Sequence, residues 1–153
     1  MVRLALLAAL TAASAPAWAQ TTQTCARIDD AKVKALFDRW NASLQTLNPD
    51  EVVKNYAPDA VLLPTVSNTP RLTQAERRDY FVHFLENKPV GVVDQRVIRL
   101  GCNDALDSGL YTFTFANGTK VQARYTFVYD YIDGQWLIVS HHSSAMPERA
   151  PGP

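Results

Sequence analysis

The chain is poor in the residue types on which whole classes of function depend. It has three histidines and two cysteines in 153 residues, and a zinc site needs three or four convergent ligands. Two of the histidines, His141 and His142, are adjacent, so in an extended strand they point to opposite faces. The third, His83, falls in a helical pattern, and no metal is expected. Neither sign of charge is in excess, with 15 Lys and Arg against 15 Asp and Glu. Without a clustered positive surface, nucleic acid is not expected as a partner. Beyond the N-terminus no apolar run approaches the roughly 18 residues of a membrane helix. Internal repeats are missing. So is a strained nucleophile turn around any serine, which leaves no support for serine hydrolase chemistry.

What is present begins with a targeting pattern. Arg3 supplies a positive start, Leu4 to Ala13 form a short apolar run, and Ala17-Trp18-Ala19 gives the small-x-small cleavage signal. Residues 1–19 are therefore expected to be a signal peptide cut after Ala19. No cysteine follows the cut, so no lipid anchor is expected. The product is expected to be periplasmic or secreted, with no membrane association after cleavage. Removal of Arg3 leaves 14 basic side chains against 15 acidic. Residues 20–148, about 130 residues, make one domain with a workable core. The Pro- and Gly-rich tail, 149–153, is expected to be disordered. In an oxidising compartment the even pair Cys25 and Cys102 is expected to form a disulfide pinning the N-terminal arm to a strand end, with free thiols or metal ligation as alternatives.

The coarse pattern is helices first, then long strands. Asp29 or Asp30 can cap a first helix whose Val33, Leu36, Phe37, Trp40, Leu44 and Leu47 recur on one face. Asn48, Pro49 and Glu51 predict a capping box around a short helix over 49–56, followed by a strand over 60–66. Thr73 and Glu76 predict another box, opening a helix with Tyr80, Phe81, Phe84 and Leu85 inward. Strands are expected over 90–100, 105–116, 119–131 and 135–145. Asn117-Gly118 and Asp133-Gly134 predict two-residue hairpin turns. This order is α+β, and strands this long twist and curl into a cone around the helices.

The same order resembles the nuclear transport factor 2-like, or cystatin-like, cone shared by ketosteroid isomerases, scytalone dehydratase and polyketide cyclases. Within it, Arg39-Trp40-Asn41-Ala42-Ser43-Leu44, Tyr56-Ala57-Pro58-Asp59-Ala60-Val61-Leu62-Leu63-Pro64, Tyr80-Phe81, Asp107-Ser108-Gly109, Ala123-Arg124-Tyr125-Thr126-Phe127 and the ending from Asp133 to Pro147 stand in one order. Together they resemble the calcium/calmodulin-dependent protein kinase II association domain family, in a small exported branch. That resemblance implies an oligomerising domain with a pocket and no kinase activity. The hub domains of the kinases carry pocket arginines on their last three strands. Here Thr112, Phe127 and Ser143 take those positions, so recognition of small acids by three arginines is not implied.

Unbroken strand alternation puts Leu137, Val139, His141, Ser143 and Ala145 on one face and Trp136, Ile138, Ser140, His142 and Ser144 on the other. The hub comparison favours His141 and Ser143 for the cavity, which leaves Trp136 and His142 for an outer interface. Trp40, Tyr56, Tyr111, Arg124, His141 and Ser143 are the candidate ligand-binding residues. His141 and Asp107 are the candidate acid/base groups, Asp107 if burial raises its pKa. Two readings follow. One is an exported, small-molecule-binding homodimer or higher homo-oligomer. The other is a cofactor-independent isomerase or dehydratase using His141 or Asp107. Neither calls for a cofactor, and fold does not separate them.

Overall fold

The computed structural model describes residues 24–147. The expected signal peptide, 1–19, and the expected tail, 149–153, lie outside them. The elements are α1 (Asp30–Gln45), α2 (Pro49–Val53), β1 (Tyr56–Leu63), α3 (Gln74–Leu85), β2 (Val90–Leu100), β3 (Asp104–Thr114), β4 (Lys120–Ile132) and β5 (Gln135–Ala145). The sheet runs β1-β5-β4-β3-β2, with β1 parallel to β5 and every other neighbour antiparallel. The helices pack on one face of this curved sheet, which makes the fold the expected α+β cone.

Helix α1 is the plug of the cone. The Asp29 carboxylate accepts from Lys32 N at 2.8 Å and caps its first turn, while Val33, Leu36, Phe37, Trp40 and Leu44 are buried against the sheet. Two ties hold it in place. A disulfide joins Cys25 to Cys102 across 77 residues, and Asn41 donates to Gly91 O and accepts from Gly91 N. The Thr73–Glu76 capping box opens α3 as expected. Asn48 caps α2, but Glu51 turns to Lys54 (2.5 Å) instead of closing a box. That helix is one turn long, and Tyr56 begins β1 instead of ending α2.

Asp133 (φ 48°) and Gly134 (φ 85°) both take the left-handed conformation, as a type I′ turn requires. In the other hairpin only Gly118 does (φ 82°). Phe115 O accepts from Gly118 N, and Phe115 N donates to Thr119 O, so that loop has three residues rather than two.

Irregularities in the strands place the site. In β5, Ser140 pairs with Val128 and Ile138 with Tyr129, so Val139 is an extra residue in the strand. This bulge resets the alternation. Trp136 and Ile138 below it, and His141 and Ser143 above it, all face the core. Trp136 is 5% exposed, so its expected place on the outer face with His142 is corrected. His142 alone of that pair is exposed. A second bulge lies in β2 between Val93 and Gln95. In β1 the register breaks between Tyr56 and Val61, around Pro58, which has no N–H for a ladder.

Candidate functional site

The break in β1 frees backbone carbonyls, and α3 supplies their partner. Arg77, fully buried, donates to the carbonyl oxygens of Ala57, Pro58 and Ala60. Its guanidinium lies 5.9 Å from the centre of the Tyr56 ring. Tyr56 is thereby held at the start of β1, with its hydroxyl directed at β5.

The Tyr56 hydroxyl oxygen receives the Trp40 Nε1–H at 3.0 Å and lies 2.8 Å from His141 Nδ1. Trp40 can only donate. Among the described residues the Tyr56 hydroxyl has no acceptor other than Nδ1, so its proton is assigned to Nδ1 and the proton of the neutral His141 ring to Nε2. That Nε2 is buried and has no partner among the described residues. Phe127 stacks on the imidazole with ring centres 4.0 Å apart, and Trp40 meets it edge-on at 5.2 Å. Burial, with a smaller contribution from the charge on His142, lowers the His141 pKa from 6.5 to about 3. Burial also raises the phenols of Tyr56 and Tyr111, which stay protonated. The result is a fixed, neutral N–H donor.

Two residues further along β5, Ser143 Oγ accepts from Tyr111 OH (2.5 Å) and meets Thr65 Oγ1 from the loop after β1. His141, Ser143, Tyr111, Thr65 and Trp40 line one small cavity, closed by Phe81, Phe84 and Phe113. Its volume is about 10 Å³, room for one water molecule. None of the side chains lining it is charged.

Five of the six expected ligand-binding residues thus converge: Trp40, Tyr56, Tyr111, His141 and Ser143. Tyr56 stands behind the imidazole, outside the cavity wall. Arg124 is the exception and a correction. It lies on the outer face and is exposed, with Nη2 3.3 Å from Ala145 O, because inward Tyr125 and Phe127 fix the opposite parity for it.

Asp107 is neither a strand-end residue nor part of the cavity. It is fully buried inside β3, where its Oδ1 accepts from Tyr125 OH (2.8 Å) and Arg96 Nε (3.0 Å). Burial raises its pKa against the pull of those partners. Its cross-strand neighbour is Phe127, the residue that stacks on His141. The two acid/base candidates therefore do not form a pair. Thr65, Arg77 and Arg96 were not legible as site residues. The one local signal was Pro58, which marks a break in β1 and a need for a donor such as Arg77.

Among the described residues no three His, Cys, Asp or Glu side chains gather as a metal site, and no helix is long and apolar enough to cross a membrane.

The family model for the calcium/calmodulin dependent protein kinase II association domain matches residues 29–147. A structure from Xanthomonas campestris described as such a domain is 54% identical, with TM-score 0.76, and the match covers 80% of this chain and 91% of that one. An NTF2-like protein of unknown function from Pseudomonas putida gives TM-score 0.68 at 16% identity, over 80% of this chain and 96% of that one. A Streptomyces avermitilis protein described as an NTF2-family dehydratase gives TM-score 0.68 at 11% identity, over 76% and 95%. At such identities the likeness shows the fold alone. Comparison with curated proteins returns no match. The family match spans every element from the cap of α1 to the end of β5, so the chain belongs to the calcium/calmodulin dependent protein kinase II association domain family, built on the NTF2-like cone.

Proposed function

We propose that this protein is an exported, non-catalytic domain that binds a small molecule inside its cone and pairs with a second copy through the outer face of the sheet. The observation that carries the binding reading is the Nε2–H of His141, a buried donor without a partner, aimed by Tyr56 and Trp40. A buried donor left unpaired costs about 1–3 kcal/mol, and a ligand acceptor recovers that cost. The same imidazole is a poor general base. With a pKa near 3 it takes up almost no proton at neutral pH, and Asp107 is engaged with Arg96 and Tyr125 on another part of the core. The Cys25–Cys102 disulfide supports an oxidising compartment outside the cytoplasm. This reading assigns the chain no kinase activity.

Native mass spectrometry of the protein purified from its own host tests the reading. A bound small molecule is expected on the wild type and is expected to be lost in the His141→Leu variant, whose fold is checked by circular dichroism because Tyr56 loses its acceptor there. A bare wild-type mass, with no fragment from a small-molecule library shifting its melting temperature, would sink it.

A further inference from the structure

The wall of the cavity restricts what it can hold, an argument that rests on the binding reading above. We propose that the cone accepts an uncharged, single-ring aromatic molecule bearing a hydrogen-bond acceptor, admitted when Thr65 moves off Ser143.

Four features of the site carry this. First, no charged side chain lines the cavity. Arg77, in the core, directs both Nη atoms at three carbonyls, and Arg96 and Asp107 engage each other and Tyr125. Arg77 Nε, Arg96 Nη2 and Asp107 Oδ2 have no partner among the described residues, and none of these three residues lines the cavity. Within the inner site and the cleft that shares Thr65 and Ser143, a charged ligand would meet no counter-ion, at a cost that paired or neutral groups avoid. Arg71, His83 and Glu86 line only the other cleft. Second, Trp40, Phe81, Phe84 and Phe113 make the apolar wall, and aromatic faces and edges select a flat ring. Third, the polar groups sit to one side. His141 offers a donor, and the hydroxyls of Ser143 and Tyr111 can complete a second hydrogen bond.

The fourth feature is access. A benzene-sized guest occupies a cavity of about 150 Å³, far above the 10 Å³ of the closed site. Two larger clefts share walls with that site. One, of about 270 Å³, shares Thr65 and Ser143. The other, of about 450 Å³, shares Tyr80 and Phe84. The segment from Pro64 to Pro70 runs between them. Its base is closed by two backbone bonds between Leu62 and Arg71, and Thr65 ties it to Ser143. Breaking that side-chain tie opens the inner site toward the cleft that shares Thr65 and Ser143 with it. It also frees the Ser143 hydroxyl for the guest.

The test uses four probes with one ring each: acetophenone, toluene, benzoate and benzylammonium. Their binding at pH 7 is followed by ligand-observed NMR and by the imidazole ¹⁵N resonances of His141, in the wild type and in Thr65→Ala. Acetophenone is expected to bind about tenfold more tightly than toluene, the worth of one hydrogen bond, and to shift Nε2. Both ions are expected to bind at least about a hundredfold more weakly. Thr65→Ala is expected to speed association. Benzoate or benzylammonium binding as tightly as acetophenone overturns the neutral-ligand inference while leaving a binding cone. Failure of every probe, in the wild type and in Thr65→Ala alike, overturns this inference, while the binding reading is decided separately by the native mass spectrum and the library.

Discussion

Protonating His141 would take a cation out of water in the core, and this desolvation, with a smaller push from His142, holds its pKa down at about 3. The consequence for stability has a definite sign. In the unfolded chain the ring takes its proton near pH 6.5, and in the folded chain it does so only near 3. Between those values the unfolded state binds more protons. The contribution is fully present above pH 6.5 and is lost as pH falls toward 3, at a limiting slope of about 1.4 kcal/mol per pH unit. Urea unfolding of the wild type and of His141→Phe between pH 7 and 4.5 reads this directly. The wild type is expected to lose stability faster on acidification than the variant. Parallel pH profiles would mean that His141 does not stay neutral in the fold. At this scale the sequence was informative. Side-chain type named Trp40, Tyr56 and Tyr111, the family resemblance chose His141 and Ser143 from the two faces that parity offered, and these five meet. Which nitrogen carries the proton was not legible, because that depends on Trp40 Nε1 reaching a tyrosine 16 residues away.

Among the elements, local signals were read correctly wherever the cause is local. The caps at Asp29 and Thr73 and the type I′ turn at Asp133-Gly134 depend on a few neighbouring residues. Bulges do not. The extra residue at Val139 exists because β5 pairs with β4 on one edge and β1 on the other, and both partners change register near it. Strict alternation therefore put Trp136 outside, when it is core. The bulge in β2 has a visible counterpart in β3. Gly109 pairs with both Arg96 and Tyr125, and a Cβ placed on it would come within 1.9 Å of Gln95 O. No rotamer relieves a clash with backbone. Gly109→Ala is expected to cost about 1–3 kcal/mol by overpacking, and more if the bulge is lost and Arg96 can no longer reach Asp107. Denaturant midpoints for Gly109→Ala against Ser108→Ala decide the matter, and equal midpoints would reject the account of the bulge.

For the whole molecule, the disulfide and the sheet divide the labour. The Cys25–Cys102 bond fixes the start of α1 to the end of β2, so the plug and the cone wall keep their register. Among the described residues no helix lies on the opposite face of the sheet. Across its centre run Val97, Ser108, Thr126 and His142, one from each of four adjacent strands, with Leu106, Leu110 and Val128 beside them. Val97 is 48% exposed. A stable pairing buries about 800 Å² on each partner, and a face of four strands of eleven to thirteen residues offers that area. The proposed dimer therefore uses this face, with Ser108 and Thr126 near its middle, His142 toward one side and Trp136 taking no part. Light scattering on the eluting peak of a sizing column is expected to give at least twice the chain mass. Val97→Glu puts a charge into this outer face, where pairing would take it out of water, and is expected to shift the peak to the monomer while leaving the melting temperature of the cone nearly intact. A wild type that elutes as a monomer at tens of micromolar would sink the interface. A Val97→Glu variant that stays dimeric would move it elsewhere on the molecule.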